Sequence, residues 1–197
     1  MAGQAPRLIA TALVTAALSL ALGVPASAQS LVATGACRDG QPHGAYAVRS
    51  PDDKVRVTGA FNHGKRTGSF LFWNAAGVRV AHIPYDDDVR NGTLALWFGQ
   101  VDRGGEPRRQ LQAGYARGRL TGVKRSWYPT GAARTELRYE RGVLVSARAY
   151  SDSGRDVAEA DARALAERDA EADERLIATF EGIVRNNLPQ CQPTPER

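Results

Sequence analysis

Apolar and polar residues alternate along most of this chain, and the alternation is interrupted by short, regularly spaced, glycine-bearing stretches. Ser69-Phe70-Leu71-Phe72-Trp73 is a compact aromatic and aliphatic run, and 78–85 alternates loosely with period two. Both patterns predict β-strands, because successive side chains of a strand point to opposite faces. Asn74-Ala75-Ala76-Gly77 and Tyr128-Pro129-Thr130-Gly131 read as tight turns between them. Glycine supplies the positive φ and proline presets the turn entry. After Gly154 the period changes. Residues 156–187 contain no proline and many Ala, Glu and Arg, which predicts a helix. Asp152, Ser153 or Asp156 could cap its start, and Pro189 would end it. Ala158, Ala162, Leu165, Ala172, Leu176, Phe180 and Ile183 fall on one face. The middle, 167–175, is weakly apolar, so loose docking is expected there, with apolar anchoring over 176–188.

The strand–turn–strand unit repeats. Residues 62–85 and 116–139 align as two 24-residue copies. Gly64 and Gly118 take the third place, Gly68 and Gly122 the seventh, Trp73 and Trp127 the twelfth, Gly77 and Gly131 the sixteenth, and Tyr85 and Tyr139 the last. A first copy, 38–61, keeps Gly40 and Gly44 but has Arg49 and Asp53 at places twelve and sixteen. A third, 86–115, keeps Gly92 and Trp97, has Asp88 for the first glycine, and carries about six extra residues around 101–108. A fifth starts at 140 and fades by 154. Self-similarity at this period marks a repeat architecture whose end copies are atypical. One hairpin cannot bury its apolar face alone, whereas a stack can. The expected fold is therefore mostly β: a single-stack β-hairpin repeat sheet with one long C-terminal α-helix (155–188) and a tail (189–197). Trp73, Trp97 and Trp127, with the closing aromatics, are expected to form ladders in its core. Gly68, Gly92 and Gly122 are expected where backbones approach closely.

Residues 1–28 read as a signal peptide rather than as part of this domain. Arg7 precedes an apolar run over 8–24, and Pro25-Ala26-Ser27-Ala28 offers a small-residue cleavage site after Ala28. Residues 29–37 then form a lead-in. Export to a bacterial periplasm or beyond is expected. In that setting two cysteines, Cys37 and Cys191, suggest a disulfide. About nine stacked strands would span roughly 43 Å. A helix over 156–187 would span roughly 48 Å. A helix returning along the sheet could thus bring Cys191 beside Cys37. An intrachain Cys37–Cys191 bridge is expected; a bridge between two chains and two free thiols are the alternatives.

Charge divides the chain. Residues 38–150 carry a balance of +9 and 151–197 a balance of −5. Lys65, Arg66, Arg90, Arg117, Arg119, Lys124 and Arg125 recur near the inter-hairpin turns, and stacking would align them as a basic stripe along one edge. Such a stripe can attract acidic proteins, glycans or lipid headgroups. The acidic helix could cover it until a partner displaces it.

Gly-Lys-Arg-Thr-Gly-Ser-Phe-Leu-Phe-Trp, followed by Asn-Ala-Ala-Gly, resembles the bacterial variant of the MORN repeat. Residues 64–73 and 118–127 carry the resemblance best, and 40–44 and 92–97 carry part of it. It covers about 38–154. The resemblance implies a β-hairpin ladder used for protein association or surface attachment. Some relatives are antitoxin components, a cytosolic role at odds with an export signal. The chemistry-bearing residues are sparse. His43, His63 and His82 with the two cysteines lack zinc spacing. The 64–68 segment lacks Walker spacing. Asp86-Asp87-Asp88 lacks the alternation of a calcium loop and reads as a solvated turn. Cys37 with His43 as a thiol nucleophile pair is outweighed by a disulfide. The expected function is a non-enzymatic interaction or envelope-surface module without cofactors. Its partner would be a protein or an anionic envelope component, a peripheral membrane surface included, and not nucleic acid. An immunity- or antitoxin-like periplasmic binder and a hydrolase with a scattered site are the competing readings.

Overall fold

Two kinds of turn alternate down this chain and between them fold it into a single meander. The computed structural model describes residues 30–192. The signal segment expected over 1–28 lies outside the described residues, as does the end of the tail. Eleven strands make one sheet. They are β1 (Val32–Arg38), β2 (Gln41–Arg49), β3 (Val55–Asn62), β4 (Lys65–Trp73), β5 (Arg79–Asp86), the short β6 (Val89–Arg90), β7 (Gly92–Val101), β8 (Pro107–Ala116), β9 (Arg119–Trp127), β10 (Ala133–Glu140) and β11 (Val143–Ala149). Neighbours in sequence are antiparallel neighbours in space, except that β5 pairs with both β6 and β7.

Along one edge, the strands are joined by two-residue turns at Asp39-Gly40, His63-Gly64, Asp87-Asp88, Arg117-Gly118 and Arg141-Gly142. Both residues of each pair have positive φ, as a type I′ hairpin requires. Asp88 stands in the glycine place at φ +70°, a conformation Asp tolerates better than most residues. At the other edge, one pair of backbone hydrogen bonds recurs at Ser50/Lys54, Asn74/Val78, Asp102/Glu106, Tyr128/Ala132 and Ser151/Arg155. The extra residues of the third repeat lengthen the β7–β8 hairpin, with a register shift between Trp97 and Val101, and leave the stack unbroken.

Three expectations need correction. The lead-in expected over 29–37 is not separate from the sheet: 32–38 is β1, paired with β2. Gly68 and Gly122 do not mark close approach, since a Cβ at either would meet nothing within 4 Å; both are there for φ +69°. The close approaches are at Gly59, under the Phe70 ring, and at Gly114, against the Thr121 carbonyl. The tryptophans do not join the clusters of the inner face: Trp73 and Trp127 are partly exposed, and Trp97 is buried on the opposite face beneath Arg79 and Arg109. Places nine and eleven of each repeat point inward (Tyr46 and Val48, Phe70 and Phe72, Leu94 and Leu96), so place twelve points away. Closing aromatics Phe61, Tyr85, Tyr115 and Tyr139 do face inward, and Phe61, Phe70 and Tyr85 pack edge to face.

One helix, α1 (Glu159–Arg185), covers the inner face. None of the proposed side chains caps it; Ala158 stands at the N-cap. It runs back across the strands. Ala162 and Ala166 pack with Leu137, Tyr139, Ala147 and Ala149, and Ile177 and Val184 join the larger cluster around Tyr46, Phe70 and Leu94. At roughly 1.5 Å per residue α1 is about 40 Å long, close to the width of the sheet. Cys191 thereby reaches Cys37, and the two form a disulfide across 154 residues of sequence. That bond is compatible with an oxidising compartment outside the cytosol. Gly35 has no side chain where Pro189 crosses β1.

Candidate functional site

The seven cations expected to form one stripe occupy three different environments, because adjacent residues of a strand face opposite ways. Arg66 and Arg90 point under α1. Arg66 Nε donates to Asp88 at 2.7 Å, and its guanidinium lies over the Tyr85 ring. Arg90 pairs with Glu174 and Glu181, each at 2.9 Å. Desolvation pushes the Glu181 carboxyl up, but hydrogen bonds from Arg90 and Tyr85 and the charges of Arg90 and Arg66 outweigh it, and the group is held below its ordinary value. Lys124 is 4% exposed and meets Asp173 at 2.6 Å. Lys65 pairs with Asp87 on the turn edge, and Arg125 pairs with Glu136 on the outer face. Arg117 and Arg119 alone of the seven make no ion pair among the described residues.

Lys124 sits in a polar seam that the charge pattern did not reveal. It occupies place nine of its repeat, where the other copies have Tyr46, Phe70 and Leu94, and Ser126 occupies place eleven. Ser126 and Thr135 share a buried hydrogen bond of 2.6 Å. Arg134 reaches Asp169 with two hydrogen bonds. Burial raises the Asp173 carboxyl above its ordinary range despite Lys124 beside it. The weakly apolar middle of α1 is therefore held by ion pairs between the two apolar clusters, not docked loosely. Aligning the repeats by place would have exposed Lys124 as an inward residue; the local Lys-Arg-Ser context concealed it.

The outer face is open. Arg79 lies over the Trp97 ring at 4.4 Å from its centroid, and Arg109 lies 5.7 Å from Trp97 and 6.0 Å from Trp127. Arg109 also donates to Gln112. Leu71, His82, Thr93 and Ala95 line the same shallow depression. Cation–π pairs of this kind hold the arginines over the rings while leaving their N–H groups available.

The chemistry candidates separate. Cys37 is in the disulfide, so it forms no thiol pair with His43. His43 and His63 are brought together, the His63 backbone N–H donating to His43 Nδ1 at 3.3 Å. His82 stands apart with Ser69 at 2.9 Å. Asp87 and Asp88 serve a turn and neutralise Lys65 and Arg66. Among the described residues no three His, Cys, Asp or Glu side chains are grouped to hold a metal ion. No helix among them is long and apolar enough to cross a membrane. No family model matches the chain, and no curated protein matches it significantly.

Proposed function

We propose that this chain is an exported, non-enzymatic interaction module built from variant MORN-like repeats, acting in the periplasm or outside the cell. Its open sheet face binds a protein or an anionic polymer of the envelope. One observation carries the reading: α1 occupies the inner face, while the outer face presents Arg79 and Arg109, both exposed and held over the buried Trp97 ring, with the partly exposed Trp127 next to Arg109. Arginine and tryptophan are the residue types that dominate binding hot spots, where a large flat side chain is combined with directional donors. The disulfide-tied helix supports the same reading, since it makes the sheet a rigid platform whose surface is ordered before a partner arrives.

Co-sedimentation of the full mature chain with purified envelope fragments tests this. Arg79→Ala/Arg109→Ala is expected to weaken retention by about 2 kcal/mol, roughly thirtyfold. The remaining binding should lose its salt dependence. Retention equal to wild type would remove the outer face as the binding surface.

A further inference from the structure

On the turn edge successive repeats meet at equivalent slots; one of these contacts, Lys65 with Asp87, is an ion pair, and another gathers arginines with no acid. Each slot is framed by a backbone hydrogen bond between successive repeats: Gly64 N–H to Pro42, Asp88 N–H to Arg66, Gly118 N–H to Arg90, Gly142 N–H to Leu120. Beside it, place four of one repeat lies against the turn of the next: Gln41 beside Gly64, Lys65 beside Asp87, Val89 beside Gly118, and Arg119 beside Gly142. In the second slot the pairing is complementary, with Lys65 Nζ 2.6 Å from Asp87 Oδ2 and the following Asp88 on Arg66. In the fourth, a position 142 Cβ would lie 3.8 Å from Arg119 Cβ, which sets Arg119 against the Arg141-Gly142 turn. Here, however, both partners are arginine. Arg117, Arg119 and Arg141 line a crevice of about 500 Å³ together with Ala116 and Thr121. None of the three arginines forms an ion pair among the described residues.

Three arginines lining one crevice without an acid repel one another, and the repulsion is relieved by an anion from outside. The same edge shows which anion fits: two consecutive carboxylates, those of Asp87 and Asp88, pair with Lys65 and Arg66, and Lys65 holds the place that Arg119 holds two repeats later. We infer that the Arg117–Arg119–Arg141 crevice is a docking slot for consecutive acidic side chains of a partner protein. The guanidinium forks accept carboxylates with two parallel N–H donors, which gives direction as well as charge. The slot lies at the two-residue turns and is separate from the Arg79–Trp97–Arg109 row, so it stands or falls independently of the proposed function.

The experiment uses the full mature chain with its disulfide and a fluorescein-labelled Gly-Asp-Asp-Gly peptide, followed by anisotropy at low ionic strength. Saturable binding is expected. Arg141→Asp should weaken it about tenfold or more, because the inserted acid fills the slot from within. Asp tolerates the φ of +50° found at 141, so this variant is expected to fold. Arg119→Gln/Arg141→Gln should weaken binding similarly without adding an acid. Arg103→Asp, an equal charge change on the β7–β8 hairpin tip, should leave it within twofold. Absence of saturable binding, equal losses in Arg141→Asp and Arg103→Asp, or displacement of the peptide by inorganic phosphate at concentrations where free glutamate is inert would each overturn the assignment.

Discussion

At Gly114 a Cβ would lie 2.6 Å from the Thr121 carbonyl oxygen, a backbone atom that cannot rotate away. At Gly122 a Cβ would meet nothing within 4 Å, but the backbone sits at φ +69°. Two glycines on neighbouring strands are thus fixed by different physics: steric exclusion in one case, left-handed backbone in the other. Gly122→Ala is expected to cost about 1 kcal/mol, the ordinary penalty of that conformation. Gly114→Ala should cost about 3 kcal/mol, because β8 and β9 must separate to admit the methyl group. Urea midpoints of the two variants check this, and equal shifts would refute the distinction. The turn residues were legible from composition: Asp53 and Asp88 stand in glycine places and take φ of +61° and +70°. The close approaches were not, since Gly59 and Gly114 are opposed by Phe70 and Thr121 from adjoining strands, and their register depends on bulges that leave no local mark.

The helix shows how an element can be placed correctly by its pattern yet misread in its middle. Its C-terminal anchoring followed from Leu176, Phe180 and Ile183, which do pack against the larger cluster. Around Asp169 and Asp173 the absence of apolar residues suggested weak docking, when the sheet in fact offers Lys124 and Arg134 at that point. An apolar-moment reading sees one element at a time, and complementarity between two elements is invisible to it. The same seam makes a sharp prediction. A buried ion pair returns little net stability, because desolvation opposes the attraction, but removing one partner strands the other. Lys124→Met should therefore destabilise by about 3 kcal/mol, leaving Asp173 half-buried beside Asp169. Lys124→Met/Asp173→Leu should recover most of that loss, since place nine is filled by Tyr, Phe or Leu in the preceding repeats. Chemical denaturation of the two single variants and the double one measures the coupling. A double variant no more stable than Lys124→Met would show that the seam depends on its charges.

On the scale of the whole molecule, stacked hairpins leave two sheet ends, β1 and β11, with no neighbour beyond them. Exposed strand edges invite pairing with other chains. Here α1 starts against β11, the segment that follows it sets Pro189 against Gly35 of β1, and the Cys37–Cys191 bond closes the circuit. That closure followed from a length comparison, sheet width against helix length, and needed no knowledge of side-chain contacts. The folded arrangement at its end does not rest on sulfur alone: Ile177 and Val184 are 1% and 3% exposed, and the Tyr46 hydroxyl donates to the Asn187 carbonyl. The bridge should therefore act mainly on the unfolded chain, whose ends it holds together across 154 residues. In the chain-entropy account a loop of that length is worth roughly 5 kcal/mol. Cys37→Ser/Cys191→Ser is expected to keep the far- and near-ultraviolet circular dichroism of the wild type while its denaturant midpoint falls by a large part of that amount. Reduction of the wild type under the same conditions should reproduce the shift. A variant whose near-ultraviolet signal collapses along with its midpoint would mean that the bond holds α1 on the sheet directly, and that the apolar contacts at its C-terminal end cannot do so without it.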